Sequence, residues 1–136
     1  MPRKQAVMGD AFARLWPREM FDGRPPLANQ LKFFTEHPRG VYILYYIDRP
    51  YYIGKSDKLL ERLTKHARPQ SKYYNFWNLF SAFAITDRHG CDVLEAILIA
   101  AMPTANSAEP KLNKETLPRE VIALMRNIRD ARLGRP

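Results

Sequence analysis

Two short apolar runs separated by a tight turn constrain the fold of this chain more than any other feature. Residues 41–47 and 51–53 are rich in β-branched and aromatic side chains, and an Asp-Arg-Pro segment at residues 48–50 lies between them. Runs of this kind favour strands, and a short proline-containing segment between them favours a turn. The sequence therefore predicts an antiparallel β-hairpin that begins near Gly40.

A helix and a third strand are predicted after the hairpin. Ser56 and Asp57 are suited to cap a helix, and apolar residues then recur at helical spacing. These apolar residues are Leu59, Leu60, Leu63 and Ala67. Residues 79–86 alternate loosely between apolar and polar side chains and predict a strand, with residues 88–90 as its exit turn.

Two more helices are predicted in the second half of the chain. Asp92 starts a strongly apolar helix over residues 93–102, which Pro103 closes. Pro118 suits the first turn of a last helix, in which several arginines lie opposite an apolar face. That apolar face comprises Val121, Leu124, Met125 and Ile128.

The predicted fold class is α/β of the α+β kind, with a small three-stranded sheet and flanking helices. A length of 136 residues is that of one domain. Residues 1–39 are predicted to be a helical extension packed on the same domain, with short helices over residues 10–22 and 27–36. Residues 40–136 supply the hairpin, the third strand and the later helices.

The charge of the chain indicates a polyanionic partner. The formal net charge is +8, and residues 40–78 alone contain seven Lys and Arg against three Asp and Glu. Basic residues gain free energy by releasing counterions from phosphates, so nucleic acid is the first expectation. Basic composition is also found in ribosomal and membrane-surface proteins, and the residue pattern must decide between these classes.

Cysteine content and hydropathy indicate the compartment. Cys91 is the only cysteine, which excludes an intrachain disulfide and fits a reducing environment. The longest apolar stretch, residues 93–103, is interrupted by Glu95 and is too short to span a bilayer. We therefore expect a cytoplasmic protein without a membrane partner.

Several polar residues are candidates for chemistry, and each also has a purely structural interpretation. Tyr42 and Tyr52 lie in the two hairpin strands, where aromatic residues often serve packing alone. Gly54 permits close approach of a ligand or backbone, and Lys55 reaches an anion, but the pair also suits a strand end.

Arg62 and His66 are four residues apart and therefore project from one side of the predicted helix. A guanidinium there suits a phosphate, because it stays charged and contacts two oxygens at once. A solvated basic helix face that also includes Lys58 and Lys65 is the structural alternative.

Glu95 is the most unusual acidic residue because it lies inside an apolar helical segment, where partial burial is expected. A buried carboxylate is costly unless a cation or hydrogen-bond donors meet it, and a hard divalent ion would meet that need. The competing interpretation is a capping box in which Glu95 reaches back to the backbone of Asp92. Local sequence leaves both open.

The ordered combination of these residues resembles the GIY-YIG endonucleases, over a little more than half of the chain, from Gly40 to about Asn113. The matching set is Gly40-Val41-Tyr42, Tyr52-Ile53-Gly54-Lys55, Arg62, His66 and Glu95. The resemblance implies a small α/β domain around a three-stranded sheet that hydrolyses the DNA backbone at a single divalent metal, Mg²⁺ or Mn²⁺.

The resemblance also implies a role for each matching residue. Tyr42 would activate or orient the attacking water with Tyr52 beside it, and Lys55 or His66 would help to favour a phenolate. Arg62 would bind the scissile phosphate, and Glu95 would hold the metal. The family often has a later asparagine, for which Asn106 and Asn113 both qualify, and Asn113 is preferred.

Substrate contacts are expected outside the motif. The DNA-binding candidates are Gly54, Lys58, Lys65, Arg68 and Lys72, and four aromatic residues at positions 73, 74, 76 and 77 suit either base stacking or the core. The expected form is a monomer or a homodimer. The alternatives to a DNA endonuclease are a DNA-binding module that keeps the fold without cutting, and an RNA-directed nuclease.

Overall fold

A four-stranded antiparallel sheet forms the centre of the computed structural model, which describes residues 11–22, 32–106, 115–116 and 118–132. Its strands are β1 (Ala11–Pro17), β2 (Gly40–Tyr46), β3 (Arg49–Ser56) and β4 (Leu79–Ala84). The strand order is β1-β4-β2-β3, so β1 and β3 form the two edges. An α+β fold with an antiparallel sheet is thus confirmed, but the predicted count of three strands is wrong.

The additional strand comes from the segment that was predicted to be helical. Residues 11–17 pair with β4, and a 3₁₀ helix, Arg18–Asp22, follows. Phe12 is exposed and Ala13 is buried, which is the two-residue alternation of a strand at a sheet edge. Pairing with β4 satisfies backbone groups that a short helix broken by Pro17 would leave open.

The predicted hairpin is confirmed, and its first strand, β2, is an inner strand of the sheet. Tyr42 lies opposite Gly54, and Leu44 lies opposite Tyr52. β2 also pairs with β4, where a Cβ atom on Gly40 would lie 2.0 Å from the carbonyl oxygen of Phe83. Glycine is therefore needed at the start of β2 for the sheet to close against β4.

Four α-helices accompany the sheet in the described part of the chain. They are α1 (Lys32–Glu36), α2 (Leu59–His66), α3 (Arg88–Ala101) and α4 (Arg119–Arg132). α2 starts after Lys58 without a side-chain cap, so the predicted capping by Ser56 and Asp57 is wrong. The Asp57 carboxylate instead accepts a hydrogen bond of 2.7 Å from Nε of Arg39.

α3 begins five residues earlier than predicted, at Arg88 rather than at residue 93. Asp87 caps it by accepting hydrogen bonds from the backbone amides of His89 and Gly90. Residues 88–90 therefore form the first turn of the helix rather than an exit turn. Asp92 lies inside the helix, which excludes the capping box between Asp92 and Glu95.

The sheet carries a hydrophobic core on each face. Tyr42 and Leu44 pack with α2 and with Trp77, whereas Val41 and Ile43 pack with residues of α3. β2 is consequently buried on both sides, and α2 and α3 flank the hairpin from opposite faces. None of the described helices is long and apolar enough to cross a membrane.

The last predicted helix is confirmed as α4, but its apolar face is exposed. The exposed fractions of the predicted apolar residues lie between 39% and 58%. These residues are Val121, Leu124, Met125 and Ile128.

Candidate active site

The Tyr42 ring packs against the backbone of β3 at Gly54. An added Cβ atom on Gly54 would lie 2.4 Å from the phenol oxygen of Tyr42, far inside van der Waals contact. The missing side chain therefore creates the space through which the phenol reaches toward the β3 edge of the sheet. Gly54 therefore has an intramolecular role, since the Tyr42 phenol approaches its backbone, and its predicted part in DNA binding stays a prediction.

Replacing Gly54 by alanine is expected to displace Tyr42 and to lower the free energy of unfolding by about 1–3 kcal/mol. The physical cause is the overlap between the new methyl group and the phenol ring. Urea denaturation of the single variant and of the same substitution made on a Tyr42→Ala background measures the effect. If the cost is equally large without the Tyr42 ring, the steric explanation is wrong.

Tyr42 is hydrogen-bonded to a neutral histidine. The phenol oxygen lies 2.9 Å from Nε2 of His66, and both residues are buried, with exposed fractions of 1% and 7%. Burial, followed by the nearby Arg62 charge, lowers the pKa of His66 to about 4. At neutral pH the imidazole is therefore uncharged and can accept the phenol proton at Nε2.

The buried imidazole is expected to make the protein less stable in mild acid. Its pKa is lowered in the folded state, so the unfolded chain binds an extra proton between pH 4 and 6.5. The contribution of His66 is fully present above pH 6.5 and is lost as the pH falls toward 4, by up to about 3 kcal/mol. Comparing urea denaturation of the wild type and His66→Gln across this range isolates this histidine, and a pH-independent difference would refute the assignment.

Both active-site phenols are held in the protonated form. Burial is the largest cause that raises the pKa of Tyr42 and of Tyr52. The prediction that Lys55 or His66 favours a phenolate fails physically, because His66 is neutral and Lys55 is paired with acidic side chains. The His66 imidazole is uncharged, and its Nε2 atom can accept the hydrogen bond of the Tyr42 phenol.

Tyr73 completes the aromatic surroundings of the site and was not selected from the sequence. Its ring centroid lies 4.8 Å from that of Tyr52 and 5.0 Å from that of His66. After burial, the electrostatic effect of Tyr73 and its hydrogen bond are the next causes that raise the pKa of Tyr52. The aromatic cluster at residues 73–77 was visible in the sequence, but only the loop conformation shows which ring meets the site.

Arg62 and Glu95 act on the same two phenols. Secondary to burial, the Arg62 charge lowers and the Glu95 charge raises the pKa of both Tyr42 and Tyr52. Arg62 is exposed, while the Glu95 side chain is 23% exposed, which confirms its expected partial burial. The structure thus brings together two phenols, a guanidinium, an imidazole and a carboxylate from two strands and two helices.

Lys55 connects β3 to the acidic side of α3. Its ammonium group forms an ion pair with Asp92 and lies 3.7 Å from Oε1 of Glu95. The hydrogen bond that Lys55 donates to the Asp92 carboxylate is the largest cause that raises the pKa of Lys55. Asp92 is therefore a second acidic residue of the site, and its three-residue spacing from Glu95 on a helix is the sequence signal that predicts it.

The donor set suits a hard cation that keeps most of its own ligands. Among residues 11–22, 32–106, 115–116 and 118–132, no group of three His, Cys, Asp or Glu side chains is arranged to hold a metal. Glu95 offers one half-buried carboxylate, and Mg²⁺ is often bound by one or two carboxylates while water and phosphate oxygens supply the rest. The residues present therefore fit such an ion at Glu95.

A basic cleft of about 500 Å³ adjoins the site. Arg62 and the predicted DNA-binding residues Lys58 and Lys65 line it, together with Arg39 and Arg88. The other two basic candidates, Arg68 and Lys72, are exposed on the segment after α2. The cleft thus offers positive charge beside Arg62 at the start of α2.

Of the two candidate asparagines, Asn106 contacts the motif strand. Its amide accepts a hydrogen bond of 2.9 Å from the Ile53 amide and donates one of 2.7 Å to the Ile53 carbonyl. This pair satisfies backbone groups at the outer edge of β3 beside Gly54. The preferred Asn113 lies outside the described residues, so its role stays a prediction.

The chain is similar to several solved structures of one endonuclease domain. One is the GIY-YIG N-terminal endonuclease domain of UvrC from Thermotoga maritima bound to magnesium, with 28% identity over 51% of this chain and 84% of that chain and a TM-score of 0.42. Another is a tyrosine-to-phenylalanine mutant of that domain bound to its catalytic divalent cation, with 28% identity over 51% and 83% of the chains and a TM-score of 0.42. No curated protein matches the chain significantly.

The family of this chain is assigned from a match to a family model. The model of the GIY-YIG catalytic domain matches residues 38–118. The matched segment contains the hairpin, α2, β4 and α3, and with them all the described residues that act on the two phenols. This match covers more than half of the chain, which therefore belongs to the GIY-YIG nuclease family.

Proposed function

We propose that this protein is a metal-dependent endonuclease that hydrolyses DNA phosphodiester bonds. The observation that carries the proposal is the convergence of Arg62 and Glu95 on the phenols of Tyr42 and Tyr52. A phosphodiester needs a cationic group for its developing negative charge, a proton acceptor for the attacking water and a Lewis acid. The site contains the first two and a carboxylate suited to hold the third.

Arg62 is the proposed phosphate ligand. It is exposed and lines the basic cleft, and a guanidinium can contact two oxygens of one phosphate. Lys58 and Lys65 continue this positive surface along α2 and suit the neighbouring phosphates of the strand. Arg68 and Lys72 extend the proposed DNA contact beyond the helix.

His66 is the proposed terminal proton acceptor. With its pKa near 4, it is neutral at physiological pH, and Tyr42 is positioned to donate to its Nε2 atom. The Tyr42 oxygen can then accept a proton from the attacking water as its own proton moves to the imidazole. Tyr52, which is half-buried, keeps contact with solvent and orients the water beside Tyr42.

Glu95 is the proposed metal ligand, with Mg²⁺ or Mn²⁺ as the cofactor. A divalent cation held there would stabilise the negative charge that develops on the phosphate and on the leaving oxygen. Lys55 pairs with both acidic side chains of α3, and these ion pairs to Asp92 and Glu95 orient both carboxylates toward β3. Asn113 is retained as a candidate site residue.

The proposal agrees with the known relatives and with the charge of the chain. The similar UvrC domains are endonuclease domains crystallised with a catalytic divalent cation. The net charge of +8 fits a DNA substrate, and the single buried cysteine fits a reducing, cytoplasmic location. A monomer or a homodimer is the proposed working form.

The test is a cleavage assay on single strands, hairpins, flaps, random duplexes and a matched RNA strand. Cleavage of DNA that appears with Mg²⁺ or Mn²⁺ and stops when EDTA removes the metal is the expected result. Metal-independent cleavage would contradict the assigned chemistry. Preferential cleavage of RNA, unaffected by Tyr42→Phe, would replace the DNA substrate by RNA.

A DNA-binding module without nuclease activity is the second candidate. It is favoured by the Lys55 ion pairs, which occupy the acidic side chains, and by the 1% exposure of Tyr42. Salt-sensitive binding to DNA without metal-stimulated cleavage of any probe would support this module over the nuclease.

A further inference from the structure

A continuous row of aromatic rings leads from the candidate site to the protein surface. Tyr73, which packs against His66, lies 6.3 Å from Tyr51 between ring centroids. Tyr51 in turn stacks on Phe76 at 5.2 Å with an interplanar angle of 17°. The row therefore connects the proposed proton acceptor to a ring pair that no catalytic role uses.

The outer end of this row is open to solvent. Phe76 is 50% exposed, whereas Phe34 and Phe80, which belong to the core, are 3% and 0% exposed. One face of the Phe76 ring is covered by Tyr51, and half of the side chain remains available for another contact. The exposed half of this ring is therefore available to a ligand that approaches the site.

The chain segment that contains Tyr73 and Phe76 is basic. Residues 62–86 contain four basic side chains and no Asp or Glu. One of them, Lys72, places its ammonium group 5.1 Å from the Tyr73 ring centroid. Exposed rings interleaved with cations suit a nucleic acid strand, because its phosphates pair with the cations while its bases stack on the rings.

We propose that Phe76 and Tyr51 form a stacking platform for an unpaired base of the DNA strand whose phosphate lies at Arg62. The inference rests on the proposed function and adds a substrate class to it: DNA that is single-stranded next to the cut. A base within a duplex already stacks on its neighbours, so only an unpaired base gains from this platform. The basic, acid-free segment favours a polyanion over a peptide or a second copy of this equally basic chain.

The experiment measures DNA binding in metal-free buffer, so that cleavage does not enter. Fluorescence anisotropy gives the Kd of the whole protein for a labelled oligothymidylate, an abasic strand of equal length and a blunt duplex. Phe76→Ala is expected to weaken binding of the oligothymidylate by about 5- to 150-fold, the loss typical of one base-aromatic stack. Binding of the abasic strand and the duplex is expected to change less than about twofold, because phosphate contacts dominate there.

The chain offers a matched control for the loss of an exposed ring. Phe12 is 65% exposed and stacks on Phe83 at 6.4 Å and 19°, but it lies on β1, at the opposite edge of the sheet from β3. Phe12→Ala is expected to leave all three affinities unchanged. Equal losses for Phe12→Ala and Phe76→Ala would overturn the platform.

Further variants separate stacking from folding. If Phe76→Ala does not fold, Phe76→Leu keeps an apolar contact with Tyr51 but removes the ring, and Phe76→Trp keeps the ring. Selective loss with leucine and retained affinity with tryptophan support stacking. An equal loss of affinity for the abasic strand would overturn the platform. So would a wild-type dimer, seen in gel filtration, that the Phe76→Ala substitution dissociates.

The outcome also separates this inference from the nuclease proposal. Ring-dependent binding of single strands without cleavage in Mg²⁺ would support the platform while the nuclease proposal fails. Metal-dependent cleavage with single-strand affinity unaffected by Phe76→Ala would refute the platform while the nuclease proposal stands.

Discussion

Replacing Glu95 by glutamine is expected to lower the rate of metal-dependent DNA cleavage by about 10³-fold, because the cation contributes several kcal/mol of charge stabilisation. Glutamine keeps the size of the side chain but removes the charge that holds the ion. The Lys55 to Asp92 ion pair does not involve the substituted group, so the contact between β3 and α3 is expected to survive. Single-turnover cleavage of the best substrate from the DNA panel measures the rate, and calorimetry measures Mn²⁺ binding.

Glu61→Gln is the matched control for this change. Glu61 is an exposed glutamate that lines the neighbouring cleft and forms solvent-exposed ion pairs with Lys58 and Lys65, at 3.9 and 3.3 Å. Surface pairs of this kind contribute little to stability, so no loss of cleavage is expected. Wild-type rates and wild-type Mn²⁺ binding in Glu95→Gln would exclude Glu95 as the metal ligand.

Replacing Arg62 by alanine is expected to lower the cleavage rate by about 10²- to 10³-fold, the usual cost of removing one donor aimed at developing charge. The side chain is exposed, so the free energy of unfolding is expected to change by less than about 0.5 kcal/mol. Arg62→Lys keeps the charge but loses the bidentate geometry, and its rate is expected to fall between those of alanine and wild type.

Arg14→Ala is the control for a general loss of positive charge. Arg14 is exposed on β1, at the sheet edge farthest from β3. The two alanine variants have the same net charge, so nonspecific attraction to DNA is weakened equally in both. If the rate falls by the same factor in both, the role of Arg62 is reduced to general electrostatics. If DNA affinity is kept while the rate falls only in Arg62→Ala, the guanidinium acts on the scissile phosphate.

The hairpin and the types of side chain available near it were predictable from the sequence. Dense β-branched and aromatic runs on either side of a turn have few alternatives to antiparallel pairing, which is confirmed between Gly40 and Ser56. The chemistry available to an arginine on a helix face or to a glutamate in an apolar helix follows from the side-chain type, so it can be predicted without the fold. The family match over residues 38–118 confirms the predicted resemblance to the GIY-YIG family.

The first strand was not predictable in the same way. Residues 11–17 carry no strong local preference, and their conformation depends on the free edge of β4, a partner more than sixty residues away. Tertiary pairing overrides weak local propensity in such a segment. The start of α3 was missed for a related reason. Asp87 and Asp92 are both plausible helix caps in the sequence, and the choice between them depends on where β4 ends.

The amino-acid sequence by itself determined the hairpin, the helical periodicity and the chemical groups available to the site, because these depend on side-chain type and spacing. Only the tertiary structure decided how those groups act on one another. Burial makes His66 a neutral acceptor and keeps Tyr42 protonated, and Lys55 pairs with α3 rather than with the phenols. Ionisation depends on solvent exposure and on neighbours distant in the chain, which local sequence does not specify.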